Sequence, residues 1–132
     1  MAYSPSSQPQ STQPPERVIV VTAVDANGQS AIGADVTMFI NGKLGGELVM
    51  GDRPATFEIS DPGANVILNA KFAGQFLSAV LGQEVHAHRF QFNTLAPQGF
   101  VAATPVARCP DATTGAPCIV CEVSGTRVRI CV

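Results

Sequence analysis

The sequence predicts an all-β chain: an antiparallel sandwich of about seven strands, followed by a cysteine-bearing β-hairpin at the C-terminus. Three observations carry this expectation. From Arg17 onward the chain breaks into short runs rich in Val, Ile, Phe and Thr. Turn-forming residues separate those runs, and no convincing helix lies between them.

Residues 1–16, MAYSPSSQPQSTQPPE, hold prolines at Pro5, Pro9, Pro14 and Pro15 among Ser and Gln. Such a segment buries too little apolar surface to offset its ordering entropy, so it is expected to be a flexible arm, docking on a neighbouring subunit or serving as a plain tail. The runs that follow are RVIVVTAVD, ADVTMFIN, LGGELVM, ATFEIS, NVILNAKF, QFLSAVL and EVHAHRFQF. Side chains alternate along a strand, so Val36, Met38 and Ile40 share a face, as do Phe57 and Ile59, and Val66, Leu68, Ala70 and Phe72. These sets are expected to meet in one core. Asn27-Gly28 and Asn41-Gly42 can supply the positive φ angles of tight turns, and Asp61-Pro62-Gly63 presets a turn through the fixed φ of proline.

The stretch from Val24 to Val36, with Asp25, Gly28, Ile32, Gly33-Ala34 and Val36, resembles the opening of carboxypeptidase-regulatory-like and bacterial Ig-like domains. Asp61-Pro62-Gly63 followed by Val66 to Ala70 is also similar to that group. Ser30 stands where the family usually has proline. The resemblance covers about residues 17–92 and implies an Ig-like or transthyretin-like sandwich used as an adhesive, structural or spacer module, with no catalytic residues carried over.

Residues 93–108 contain Pro97 and Pro105 and no clean period, and are read as a connector anchored by Phe100 and Val101. Residues 109–132 form the expected hairpin. Its turn falls at Ser124-Gly125 or Gly125-Thr126, and in either register Ile119, Cys121, Val123, Val128 and Ile130 share the apolar face; with the turn at Ser124-Gly125, Cys118 and Cys131 fall opposite each other. Cys121 then points away from Cys118 and is left for Cys109. The expected disulfides are therefore Cys118–Cys131 and Cys109–Cys121. Cys118 and Cys121 also form a C-x-x-C pair, so a structural zinc site and free thiols are the rival readings.

Composition narrows the function. The 132 residues are 45% hydrophobic and only 14% charged, against roughly 25% charged in an ordinary soluble domain. The net charge is −2, without a basic stripe, which argues against a nucleic-acid partner. No apolar run approaches the ~18 residues of a membrane span, so membrane insertion is not expected. Four cysteines favour an extracytoplasmic or particle-associated setting, although the N-terminal residues do not read as a secretory signal.

One motif could carry metal chemistry. Glu84, His86 and His88 fall on one face if the run is a strand, a geometry that zinc or another transition metal can use. Phe90 and Phe92 continue that face, so the histidines can equally be the wet end of a strand that enters the core. No G-x-S-x-G element or P-loop is present, and the carboxylates are scattered. The leading expectation is a non-enzymatic structural or protein-binding module without a cofactor, working as a homo-oligomer or in a larger surface or virion-like assembly. The alternatives are a metal-binding protein or small metalloenzyme built on Glu84, His86 and His88, and a transthyretin-like carrier of a small ligand.

Overall fold

The computed structural model describes residues 17–101, 104–111 and 116–132. The expected arm, residues 1–16, lies outside the described residues. Among the described residues ten strands run in chain order: β1 Arg17–Val24, β2 Asp35–Ile40, β3 Lys43–Val49, β4 Ala55–Ile59, β5 Val66–Phe72, β6 Gln75–Leu81, β7 Ala87–Gln91, β8 Val106–Arg108, β9 Cys118–Val123 and β10 Thr126–Cys131. They form two five-stranded sheets, ordered β7-β1-β4-β10-β9 and β6-β5-β2-β3-β8. The result is a β-sandwich with mostly antiparallel pairing.

Each apolar run becomes a strand because alternate side chains find the same interior. Along β1 burial alternates residue by residue, and Ile19, Val21 and Ala23 point inward. The sets Val36/Met38/Ile40, Phe57/Ile59 and Val66/Leu68/Ala70/Phe72 are all buried in one cluster with Phe90, Phe92, Val128 and Ile130. The tight turns follow their residues. Asn41-Gly42 and Ser124-Gly125 both adopt positive φ at both positions, the pattern of a two-residue hairpin whose twist matches its strands. At Asp25 and Asp61 the carboxylate accepts hydrogen bonds from amides two residues on, which fixes each loop locally.

Three features depart from the expected antiparallel sandwich. First, β7 pairs with β1 in parallel, Val20 beside Ala87 through Val24 beside Gln91. The chain leaves β6 in one sheet, crosses to the other through residues 82–86, and enters beside the start of β1 in the same direction. Second, the region read as a connector contains β8, which pairs with β3 from Val106 beside Val49 to Arg108 beside Glu47. Three residues between prolines carry too little alternation to read as a strand; β8 exists because β3 offers it an edge. Third, the expected anchors of that region differ in fate. Phe100 sets its ring edge-on to Phe72 at 6.4 Å, whereas Val101 is 87% exposed and anchors nothing.

The C-terminal strands complete the first sheet. Strand β10 pairs with β4, Val128 beside Ile59 and Ile130 beside Phe57, so these residues extend the common core. Strand β9 then forms the outer edge, with Cys118 opposite Cys131 and Cys121 opposite Val128.

Where β10 approaches the other sheet, β3 carries Gly45 and Gly46 at a register shift relative to β2. A Cβ at Gly46 would collide with Cδ1 of Ile130, so glycine is what permits this close contact between the sheets.

At the other end of the sandwich Arg17 occupies an inward-facing position on β1 and is 2% exposed. Its guanidinium donates to the carbonyls of Gly82, Val85 and Ala64. This contact ties the β6–β7 crossover to the first strand.

Candidate functional site

The four cysteines form two disulfides, Cys109–Cys121 and Cys118–Cys131, with Cα separations of 5.4 and 4.1 Å. Cys118–Cys131 bridges β9 and β10 within one sheet. Cys109 follows β8 in the second sheet and Cys121 lies in β9 of the first, so this bond joins the two layers along one side of the sandwich. Neither disulfide presents a thiol for metal binding or redox exchange.

The histidine motif is not assembled as its period suggested. Strand β7 begins at Ala87, so Glu84 sits in the preceding turn and His86 in the approach to the strand. His86 Nδ1 lies 3.3 Å from the carbonyl oxygen of Val18. His88 is half-buried, with its ring edge-on to Phe90 at 4.5 Å, and burial lowers its pKa. Among the described residues no three His, Cys, Asp or Glu side chains converge on a metal-sized site. The Glu84, His86 and His88 triad is therefore a correction: the loop before β7 disperses its members, and His88 is the wet end of a strand that runs inward to Phe90.

A cleft lined by Thr22, Ala23, Ser30, Met50, Asp52 and Arg53 encloses about 120 Å³. This is below the roughly 300 Å³ at which small-ligand pockets begin.

The more distinctive surface is the outer face of the second sheet. Its strands are aligned so that side chains form rows across them. In one row Leu44, Phe39, Ile67 and Val80 stand side by side on β3, β2, β5 and β6. Leu44 is 39% and Val80 80% exposed, with Phe39 and Ile67 half-buried between them. An outward sheet face ordinarily carries polar residues. Here an apolar band crosses four strands.

The adjacent row is polar: Arg108, Glu47, Thr37, Asn69 and Ser78. Asp35 lies one pleat away on β2. A proton shared with Asp35, partial burial and repulsion between the two carboxyls push Glu47 up to about 7, against the opposing pull of Arg108. Asp35 Oδ1 is shielded from solvent and meets no donor among the described residues. A protonated Glu47 can supply the Asp35 carboxylate with a hydrogen bond that an ionised one cannot. Glu47 therefore holds its proton well above the usual carboxylate range.

The sequence could not show this arrangement. Asp35 and Glu47 are twelve positions apart, and only the β2–β3 register makes them neighbours. The apolar row was legible only as hydrophobic residues off the inward alternation, such as Phe39 between Met38 and Ile40.

Comparison of the chain with known protein families, with curated proteins and with solved structures finds no match.

Proposed function

We propose that this chain is a non-enzymatic structural module that works through protein contacts, within a homo-oligomer or a larger surface or particle assembly. The apolar row Leu44, Phe39, Ile67 and Val80 carries the reading, because a contiguous apolar band on a sheet face marks an interaction surface more often than a solvated one. The low charged fraction agrees with it, since covered surface needs fewer charges. Both disulfides fit an extracytoplasmic or particle-borne setting, where thiols are not kept reduced. The likeness of residues 24–36 to carboxypeptidase-regulatory-like and bacterial Ig-like openings points toward the same adhesive or spacer class.

Native mass spectrometry of the untagged protein, with and without reductant and alkylating agent, tests the proposal. A metal-free multimer with both disulfides intact is the expected result. A monomer that carries a stoichiometric transition metal would overturn it.

A further inference from the structure

Of the four sheet edges among the described residues, three are blunted by devices that discourage strand addition. Strand β8 has only three residues, and Ala116 bridges to Ala107 across its outer side. Strand β9 is bound by both disulfides and carries Glu122. Strand β7 carries Arg89 and His88. Strand β6 differs from all three: Gln75-Phe-Leu-Ser-Ala-Val-Leu81 has seven residues and no charge, proline or register shift. Phe76 is 63% and Val80 80% exposed.

The hydrogen-bonding phase of that edge follows from its hairpin. The two-residue turn Ala73-Gly74, with positive φ at both positions, makes Phe72 and Gln75 a hydrogen-bonded pair. Bonded and non-bonded pairs alternate along an antiparallel ladder. The amides and carbonyls of Phe76, Ser78 and Val80 therefore point away from β5, toward the free side, and meet no strand among the described residues. These are also the residues whose side chains stand on the outer face.

We infer that β6 pairs with β6 of a second copy, antiparallel about a twofold axis at Ser78, joining two sheets into one continuous layer. This rests on the reading of the chain as a protein-contact module and names the surface that makes the contact. In this register Ser78 faces Ser78 of the second copy, and Phe76 faces Val80 in both directions, an aromatic to β-branched pair of the kind that stabilises sheets. One strand thus supplies both halves of an isologous interface. The apolar row ending at Val80 continues into Phe76 of the second copy. No like charges are opposed, because the nearest formal charge on this face, Lys71, is one strand back from the seam.

The chain's own residues 1–16 are the competing occupant. They lead in sequence into Arg17, whose guanidinium donates to the carbonyl of Gly82 just past β6. Pro9, Pro14 and Pro15 would leave the ladder short of donors along that path, whereas a second β6 fills it.

The test is sedimentation velocity of the full, oxidised chain across a concentration series, with Val80→Lys as the disrupting variant. The wild type should dimerise or assemble further with concentration. Val80→Lys should sediment as a monomer at least tenfold above the wild-type midpoint, with an unchanged circular dichroism spectrum. Ser78→Cys should give an interchain disulfide on oxidation, and Thr37→Cys, two strands inward in the same row, should not. Assembly unaffected by Val80→Lys would overturn β6 pairing while leaving the module reading in place. A wild-type monomer at every concentration would overturn the pairing and leave the module dependent on a different protein. If only deletion of residues 2–16 released a dimer sensitive to Val80→Lys, the edge would belong to that segment and the second-copy assignment would fall.

Discussion

Cys109, just beyond β8 in one sheet, is bonded to Cys121 in β9 of the other, so a covalent link joins the two layers at the side where β8 and β9 form the edges. Cys118 and Cys131 are instead bonded within a single ladder. The sequence separations are nearly equal, 12 and 13. If disulfides act by restricting the unfolded chain, each should contribute about 3 kcal/mol. We predict that Cys109→Ser/Cys121→Ser and Cys118→Ser/Cys131→Ser each lose about that much in urea denaturation, to within ~1 kcal/mol of each other. A loss confined to the inter-sheet pair would show that the bond acts on the folded sandwich.

Gly46 should be intolerant of any side chain. Its Cβ would meet Ile130 Cδ1, which is fully buried, and Arg108 O lies 3.2 Å from the same point. Overpacking of this kind costs roughly 1–3 kcal/mol. Gly46→Ala is expected to fall in that range. Ile130→Val removes the colliding methyl, so the double variant should be more stable than the sum of the single losses by at least ~0.5 kcal/mol. Strict additivity in thermal or urea unfolding would refute the contact.

The fold was legible where one strand's own alternation decided its fate. Val36/Met38/Ile40 and Val66/Leu68/Ala70/Phe72 needed no partner to reveal which face is buried. Cysteine pairing was legible for the same reason: a tight turn at Ser124-Gly125 dictates that Cys118 meets Cys131. Pairings that depend on distant register were not legible. Strand β8 forms only because β3 has a free edge, and the direction of β7 is set by a crossover between sheets. The histidines illustrate the limit of periodicity, because Glu84, His86 and His88 share a face only if the strand extends through all three, and it begins at Ala87. The Asp35–Glu47 pair and the Leu44-to-Val80 row required the alignment of several strands at once.

Arg17 is expected to matter for stability. It fills an inward position and satisfies the carbonyls of Ala64, Gly82 and Val85. Leaving a buried acceptor such as the Ala64 carbonyl without a donor costs about 1–3 kcal/mol. Arg17→Met keeps the apolar stem and removes the donors, so it should lose about 2 kcal/mol in urea unfolding. Residues 82–86 should also become more susceptible to limited proteolysis, because Arg17 is one of their ties to β1, beside the Val20 N–H that donates to His86 O. Undiminished protection of that crossover would argue that the guanidinium is dispensable.

The Asp35–Glu47 pair predicts an unusual pH dependence. Glu47 ionises at its ordinary 4.5 when unfolded but at about 7 in the folded chain, so between these values the folded state holds the extra proton. Folded-state preference for a proton makes stability fall as pH rises. The contribution is fully present below 4.5 and is lost as pH climbs through about 7. His88 works in the opposite sense, since burial lowers its pKa and charging it at acidic pH opposes folding. The wild type alone therefore mixes the two effects. Subtracting the Glu47→Gln variant isolates the carboxyl, because the amide cannot ionise while His88 is common to both. Thermal unfolding at intervals from pH 4.5 to 8 should show the wild type losing melting temperature relative to Glu47→Gln as pH rises, with the steepest change near neutrality. A flat difference would mean that Glu47 is ionised throughout that range and shares no proton with Asp35.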